Sequence, residues 1–467
     1  MKFFKSTAIL GFLMLSLTGC ALGSESPEQL IDQKPIYNEN NKKLYESVNR
    51  IVGSSASLLL PANLQDVGKI NKVDLDNNGI EEVIVFEKSK NLNTNESEVG
   101  FFILNKKQDD YEKISKESIS GESIEYANFY DLDNDGNKEI ILAAKGQIKT
   151  TLYVYKYIDG EIKKSIEIKP TWINDRYNLT DMKIEIGYIN NDNKLDILMA
   201  NYDSRNSRMY VSVINYDGIN NGVELIDYVK FDNVKNISEL YITLGNIASQ
   251  AKGSNIKGIV LDIPMTKESS YFTQMLYFED DNLKKAFEDN DKSLMKSYYI
   301  PVEDINKDKV IDIPILNGSL NENTYTSKSS ANISWYSWNG KKDSSSGLLF
   351  TIQVYYNYEY NYKFLIQNNL ANKIYVEQET NSDNVIFKFN YYDEKEKGSK
   401  TLFTITAHSK NIVVDESKNI NLQNQVGISL KETDKYNFIL TIVDTEQLNR
   451  LDLTVESLKE YFSLIYE

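Results

Sequence analysis

From about residue 69 onward, short stretches of alternating apolar and polar positions follow one another with little between them. Gly100-Phe101-Phe102-Ile103-Leu104, Thr151-Leu152-Tyr153-Val154-Tyr155-Lys156-Tyr157 and Met209-Tyr210-Val211-Ser212-Val213-Ile214 are rich in β-branched and aromatic residues. Turn pairs such as Asp159-Gly160, Asp217-Gly218 and Asn339-Gly340 bound such runs, which therefore read as strands joined by tight turns. The same alternation continues after residue 359, at 362–366, 373–376, 385–389, 402–406 and 436–442. Helical spacing is confined to the two ends. Residues 44–52 are amphipathic, and Thr454 is placed to cap a helix with Glu456 in its first turn, running to about Tyr466.

The strand pattern is periodic. Val73-Asp74-Leu75-Asp76-Asn77-Asn78-Gly79-Ile80-Glu81-Glu82-Val83-Ile84-Val85 is matched, 57 residues on, by Tyr130-Asp131-Leu132-Asp133-Asn134-Asp135-Gly136-Asn137-Lys138-Glu139-Ile140-Ile141-Leu142. A third copy starts at Tyr188 and keeps Asn190, Asp192 and Asp196. Another, two periods later, keeps Asp304, Asn306, Asp308 and Asp312. The absent copy falls at Leu244-Gly245-Asn246, where a strand-loop-strand pattern survives without acidic residues. A repeat of this length with about four strands corresponds to one blade of a β-propeller, whose blades stack side by side and close into a ring. Ser57-Leu58-Leu59-Leu60 is the candidate strand for closing it.

On these loops the repeats resemble the FG-GAP or VCBS type of the integrin α-subunit propeller and of many bacterial surface proteins. The resemblance covers about 290 residues and is carried by the two complete loops. The expected fold is mainly β, a propeller of about five blades over residues 36–358, followed by a small α+β C-terminal domain at 359–467.

Composition narrows the partners. With 68 Asp and Glu against 52 Lys and Arg, the formal charge of −16 argues against nucleic acid and against attraction to anionic lipid headgroups. The N-terminus changes the picture again. Lys2 and Lys5 precede an apolar run, too short to span a bilayer, that ends in Leu17-Thr18-Gly19-Cys20. This ending resembles a bacterial lipobox and implies a signal peptide over residues 1–20, with Cys20 lipidated after cleavage. Cys20 is the chain's single cysteine, so it has no partner for an internal disulfide. Residues 21–35 are polar and aperiodic, a flexible tether. The chain is therefore expected on the outer, extracytoplasmic face of a cell membrane, held there by lipid, in a Gram-positive type of envelope.

The candidate chemistry is calcium. The ion takes six to eight oxygens from carboxylates, amides and backbone carbonyls. The D-x-D-x-[DN]-G-x-x-E loops offer Asp74, Asp76, Asn78, the carbonyl of Ile80 and Glu82, and again Asp131, Asp133, Asp135, the carbonyl of Asn137 and Glu139. Val85 and Leu142 stand where an EF-hand has its twelfth-position Glu, and strands flank the loops, so these are not EF-hands. Asp304, Asn306, Asp308 and Asp312 form a weaker candidate set, with Lys309 where the others have Gly. The loop at 188 lacks its first acid and is expected to be empty.

Nothing in the sequence marks a catalytic centre. The single histidine, His408, reads as structural, and no Gly-x-Ser-x-Gly elbow, HExxH or Walker loop occurs. Trp335, Tyr336 and Trp338 read as blade core, with a carbohydrate-stacking edge as the alternative. The reading favoured is a binding protein, not an enzyme, with a surface protein or glycan as ligand. Its rival is a secreted carbohydrate-active or other hydrolytic enzyme using channel carboxylates. Acidic side chains converging in the channel away from the calcium loops would favour that rival.

Overall fold

The structure, a computed structural model, describes residues 39–466 apart from 64–66, 92, 109, 175, 191, 219, 221, 250–254, 268–269, 290, 317–329, 342–346, 381–383, 394–396 and 411–426. The signal segment, Cys20 and the tether lie outside the described residues.

The chain is mainly β and builds antiparallel meanders in sequence order. After helix α1 (Glu39–Val52), the first sheet takes β1 (Ala56–Leu58), β2 (Ile70–Val73), β3 (Glu82–Lys90), β4 (Ser97–Lys107) and β5 (Asp110–Ser120). The second takes β6 (Ser123–Tyr130), β7 (Glu139–Lys145), β8 (Thr150–Ile158) and β9 (Glu161–Ile168). The third takes β10 (Leu179–Gly187), β11 (Asp196–Asp203), β12 (Arg208–Asp217) and β13 (Gly222–Asp232). The fourth is β14 (Tyr241–Ser249), β15 (Asn255–Pro264), β16 (Tyr271–Glu279) and β17 (Asn282–Lys285), with β18 (Met295–Lys296) also on β16. The next sheet contains β19 (Ile313–Leu316), β20 (Ser330–Trp338), β21 (Leu348–Asn357) and β22 (Tyr362–Ile366), and a single parallel bridge, Ala248 to Trp338, ties it to the fourth.

One strand of each of the first four meanders, β3, β7, β11 and β15, explains the stacking. It reads as an almost continuous apolar run: Val83 to Phe86, Ile140 to Ala144, Ile197 to Ala200 and Ile259 to Ile263 are buried. A strand buried on both faces needs neighbours on both sides. Ile84, Phe86, Phe101 and Ile103 of the first sheet pack on Ile124, Ile140, Leu142 and Tyr155 of the second. Ile141, Val154 and Leu152 of the second pack on Met182, Ile197 and Met199 of the third. Val211, Val213 and Leu198 of the third continue into Ile259, Leu261 and Met275 of the fourth.

Ring closure is the expectation that the structure does not support. The outer face of the first sheet, with Val83, Val85, Phe102 and Leu104, is covered by Leu44, Val48 and Val52 of α1. β1 does not seal a ring; it pairs with β3 inside the first sheet. At the far end, Ile333, Trp335, Val354 and Tyr356 pack with Ile300 and Ile465. Among the described residues no apolar cluster joins the first and last sheets. The helix removes the apolar face that closure would otherwise have to bury. Trp335 and Trp338 are 1% and 2% exposed, so they are core and not a stacking edge.

The C-terminal segment adds β23 (Ile374–Thr380), β24 (Asn384–Asp393), β25 (Gly398–Ser409), β26 (Ile428–Glu432) and β27 (Tyr436–Ile442), then α2 (Thr445–Arg450), α3 (Val455–Tyr461) and β28 (Phe462–Leu464). The Thr454 cap forms as expected: its hydroxyl accepts the Ser457 N–H at 3.1 Å, and the Ser457 hydroxyl accepts the Thr454 N–H at 3.0 Å. The helix stops at Tyr461, short of Tyr466, because β28 turns back to pair with β22. β22 is therefore shared: it hydrogen-bonds β21 on one side and β28 on the other, and Tyr362 and Phe364 belong to the C-terminal core. A chain ending at Tyr358 loses both strands and bares the β21 edge. Gel filtration is expected to show it aggregating where the full chain elutes as a discrete species.

Candidate metal centre

Each acidic loop leads into a strand: the loops at 74, 131 and 188 join β2 to β3, β6 to β7 and β10 to β11, and the loop at 304 precedes β19. The residue at its second position, Leu75, Leu132 or Ile189, is no more than 1% exposed and sinks into the interface with the following sheet. That plug curls the chain so that its flanking acids face the loop interior. The first-position acid then accepts two backbone N–H groups. Asp74 takes those of Asn78 (3.1 Å) and Gly79 (2.9 Å), Asp131 those of Asp135 (3.1 Å) and Gly136 (3.0 Å), and Asp304 those of Asp308 (2.9 Å) and Lys309 (2.8 Å). The ninth-position acid is buried and accepts the N–H of the plug residue: Glu82 from Leu75 at 3.0 Å, Glu139 from Leu132 at 2.9 Å, Asp196 from Ile189 at 3.1 Å and Asp312 from Ile305 at 3.3 Å.

The tight turn needs a left-handed residue at position six. Gly79 and Gly136 supply it at φ +85° and +92° without strain, whereas Lys309 adopts +71° with a side chain in place. Burial pushes up the ninth-position carboxyls. Glu139 reaches about 7, opposed by the Leu132 N–H and raised further by Asp133. Asp196 and Asp312 reach about 6, and Glu82 also rises. A divalent cation at such a site favours the charged form.

Asp74, Asp76 and Glu82 each offer a carboxylate oxygen, and the three lie within 4.8 Å of one another. The same holds for Asp131, Asp133 and Glu139. Among the described residues no other acidic group gathers in this way, so Asp304, Asp308 and Asp312 are not drawn into such a triad. In that loop the Asn306 amide donates to Asp308 at 2.9 Å and the Thr351 hydroxyl to Asp312 at 2.7 Å. In the loop at 188 the Asn190 amide lies between Asp192 (3.2 Å) and Asp196 (3.3 Å), filling the loop with its own donor. Asn78 and Asp135 accept the backbone N–H groups of Ile80 (2.7 Å) and Asn137 (2.8 Å).

The two complete loops, alike in sequence, differ in charge. The Lys156 ammonium lies 2.6 Å from Asp133, 3.2 Å from Asp135 and 3.5 Å from Glu139. It bridges three of the second loop's five donor residues. In the first loop no such cation is present among the described residues, and one Asp76 oxygen is buried without a hydrogen-bond partner. Strand register shows why. Ile140 pairs with Tyr155, and Val83 with Leu104, so Asn105 stands where the second sheet has Lys156. In the third sheet the equivalent residue is Asn215, directly opposite Asp196. Sequence inspection of the loops missed Lys156 because it lies on a different strand; the registered position after the third strand's apolar core is the signal that finds it.

The second loop is also pressed by the next sheet. A Cβ on Gly218 would fall 1.5 Å from the Asp133 carboxylate and 2.7 Å from the Lys156 ammonium. Gly218→Ala is expected to displace both and destabilise the chain by about 1–3 kcal/mol, measured by urea unfolding.

Compared with models of protein families and with curated proteins, the chain matches none. Among solved structures it is similar to the periplasmic gluconolactonase of Pseudomonas aeruginosa, at 11% identity over 69% of this chain and 82% of that one, with a TM-score of 0.28. It is also similar to the β-propeller domain of the Trilobed protease from Pyrococcus furiosus, at 13% identity over 72% and 89%, with a TM-score of 0.25. A third is the rhamnogalacturonan lyase YesW, at 10% identity over 74% and 83%, with a TM-score of 0.30. Superpositions this loose assign no chemistry, and the blade-like character of the sheets rests on their own register.

Proposed function

We propose that the chain is a lipid-anchored surface protein that binds a protein or glycan ligand through a calcium-stabilised stack of propeller blades. The observation that supports calcium is the first loop: three carboxylates within 4.8 Å of one another, one oxygen buried and unpartnered, with the Asn78 amide oxygen and the Ile80 carbonyl completing an oxygen-only set. These donors fit calcium. The ion would cancel the repulsion between the acids and tie β2 to β3. In the second loop the donors are the same, but calcium has to displace Lys156, so binding there is weaker. The third and the 304 loops rely on internal amide and hydroxyl donors.

Calorimetric titration of the purified chain is expected to show one dominant calcium site, in the range of ~0.1–1 mM typical of extracellular modules. At a hundredfold excess over its dissociation constant, calcium stabilises by about 2.7 kcal/mol. Chelation therefore lowers the melting temperature and calcium restores it. Glu82→Gln is expected to abolish the response, while Lys156→Met is expected to reveal a second site. No calcium effect on the melting curve, or two equal sites in the unmodified chain, defeats this reading.

The hydrolytic alternative has one observation in its favour: Glu125, Asp181 and Glu185 line a common cavity away from the calcium loops. Its surroundings speak for binding instead. Lys145 sits 2.7 Å from Asp181, and Lys183 lies close enough to Glu185 to interact. An acid kept protonated for glycoside cleavage needs an apolar surrounding, not a cation beside it. A protein pull-down from cell-surface extracts is expected to recover a partner only with the folded chain, and failure to recover any partner or glycan removes the binding reading.

A further inference from the structure

The cavity just mentioned, of about 600 Å³, opens where the inner strands of the second and third sheets meet the segment entering β14. Its size falls within the usual range for small-molecule sites. Five charges of mixed sign line it: Glu125, Lys145, Asp181, Lys183 and Glu185. Asp181 is held on both oxygens, by Lys145 at 2.7 Å and by the Thr180 hydroxyl at 2.9 Å, so this part of the wall is built before any ligand arrives. The Lys183 ammonium donates to the Leu240 carbonyl at 2.5 Å and lies 5.7 Å from the Tyr241 ring. Thr150 is 8% exposed and its hydroxyl has no hydrogen-bond partner. A buried hydroxyl left unpaired is unfavourable unless something bonds to it; Thr150 lines this cavity, and a turn about χ1 would present its shielded oxygen there. Tyr126 and Met182, both largely buried, supply apolar wall between the polar groups.

These features select by chemistry. A polyanion meets three carboxylates and a polycation meets two ammonium groups. An apolar ligand would strip water from five charges and replace none of their hydrogen bonds. A neutral polyhydroxyl molecule carries a donor and an acceptor on every hydroxyl, and ring C–H faces that suit Tyr126 and Met182. We propose that this cavity is the ligand site of the chain and that it takes a neutral oligosaccharide. The proposal rests on the binding reading above and gives that reading a ligand class.

Saturation-transfer NMR on the full chain in detergent micelles tests it. The neutral probes are cellotriose, chitotriose, galactotriose and mannotriose; trigalacturonate and spermidine are the charged ones. At least one neutral trisaccharide is expected to bind, and Thr150→Val and Glu125→Gln are each expected to weaken it about tenfold. Thr150→Val keeps the side-chain shape and removes the unpaired hydroxyl, so without ligand its melting temperature should be at or above that of the parent chain, which separates lost binding from lost folding. Neutral binding unchanged in both variants overturns the site. A charged probe that binds more tightly than every neutral one, and is lost in the variants, overturns the ligand class but leaves the binding reading standing. No transfer to any probe overturns the oligosaccharide proposal, while the surface pull-down decides the binding reading separately.

Discussion

Asp262→Ala is expected to lower the stability of the chain by about 3–5 kcal/mol, the usual loss when one partner of a buried ion pair is removed. Asp262 and Lys296 are each 2% exposed, and the ammonium lies 2.6 Å from the carboxylate. The Thr273 hydroxyl donates to the same carboxylate oxygen at 2.6 Å, and among the described residues the one further acceptor for Lys296 is the Ile300 carbonyl at 3.4 Å. Deleting the carboxylate leaves a cation in the core of the fourth sheet. Burial already pushes the Lys296 ammonium below its usual range, with Asp262 opposing that shift. Without Asp262 the folded state favours neutral lysine still more. The deficit is therefore largest near neutral pH and shrinks as pH rises toward the unfolded lysine value, above which both states are uncharged. Replacing both partners together, with Asp262→Leu and Lys296→Met, is expected to recover most of the loss. Urea unfolding of the parent chain, the single variant and the double variant at pH 7 and pH 9.5 checks the sign. A single variant as stable as the parent, or a deficit that grows with pH, contradicts the account.

Cys20→Ser is expected to move the protein from the membrane fraction to the soluble fraction almost completely. The thiol is the sole point at which a lipid thioether can form, and a lipidated N-terminal cysteine of this kind carries the two or more chains that stable anchoring requires. The acidic body supplies no electrostatic substitute, since a formal charge of −16 is repelled by anionic headgroups. No helix among the described residues is long and apolar enough to cross a membrane. Fractionation followed by immunoblotting reads the outcome, and a serine variant still processed and retained on the membrane refutes the lipid anchor.

The blade pattern and the loop geometry were legible in the sequence because both are local. A strand's period of two, a glycine at the sixth position and an acid at the ninth act within a dozen residues, so Leu75, Gly79 and Glu82 sit as their spacing implies. The absent copy was legible for the same reason. Asn246 occupies the plug position, and its carbonyl accepts the Ile311 N–H at 2.8 Å, as the Leu75 carbonyl accepts that of Lys138. What tertiary structure alone decided depends on which strands face each other. Strand register put Lys156 into the second loop and Asn105 beside the first, and so made two nearly identical motifs electrostatically unlike. The N-terminal helix was legible over 44–52, five residues short of its start at Glu39, but its choice of the first sheet's outer face, and with it the open end of the stack, was not. The cavity draws Glu125, Lys145, Asp181 and Ser238 from segments more than a hundred residues apart at its extremes. Side-chain chemistry follows from the order of residues along the chain; the electrostatic environment of each group is set by neighbours that only packing brings within a few ångströms.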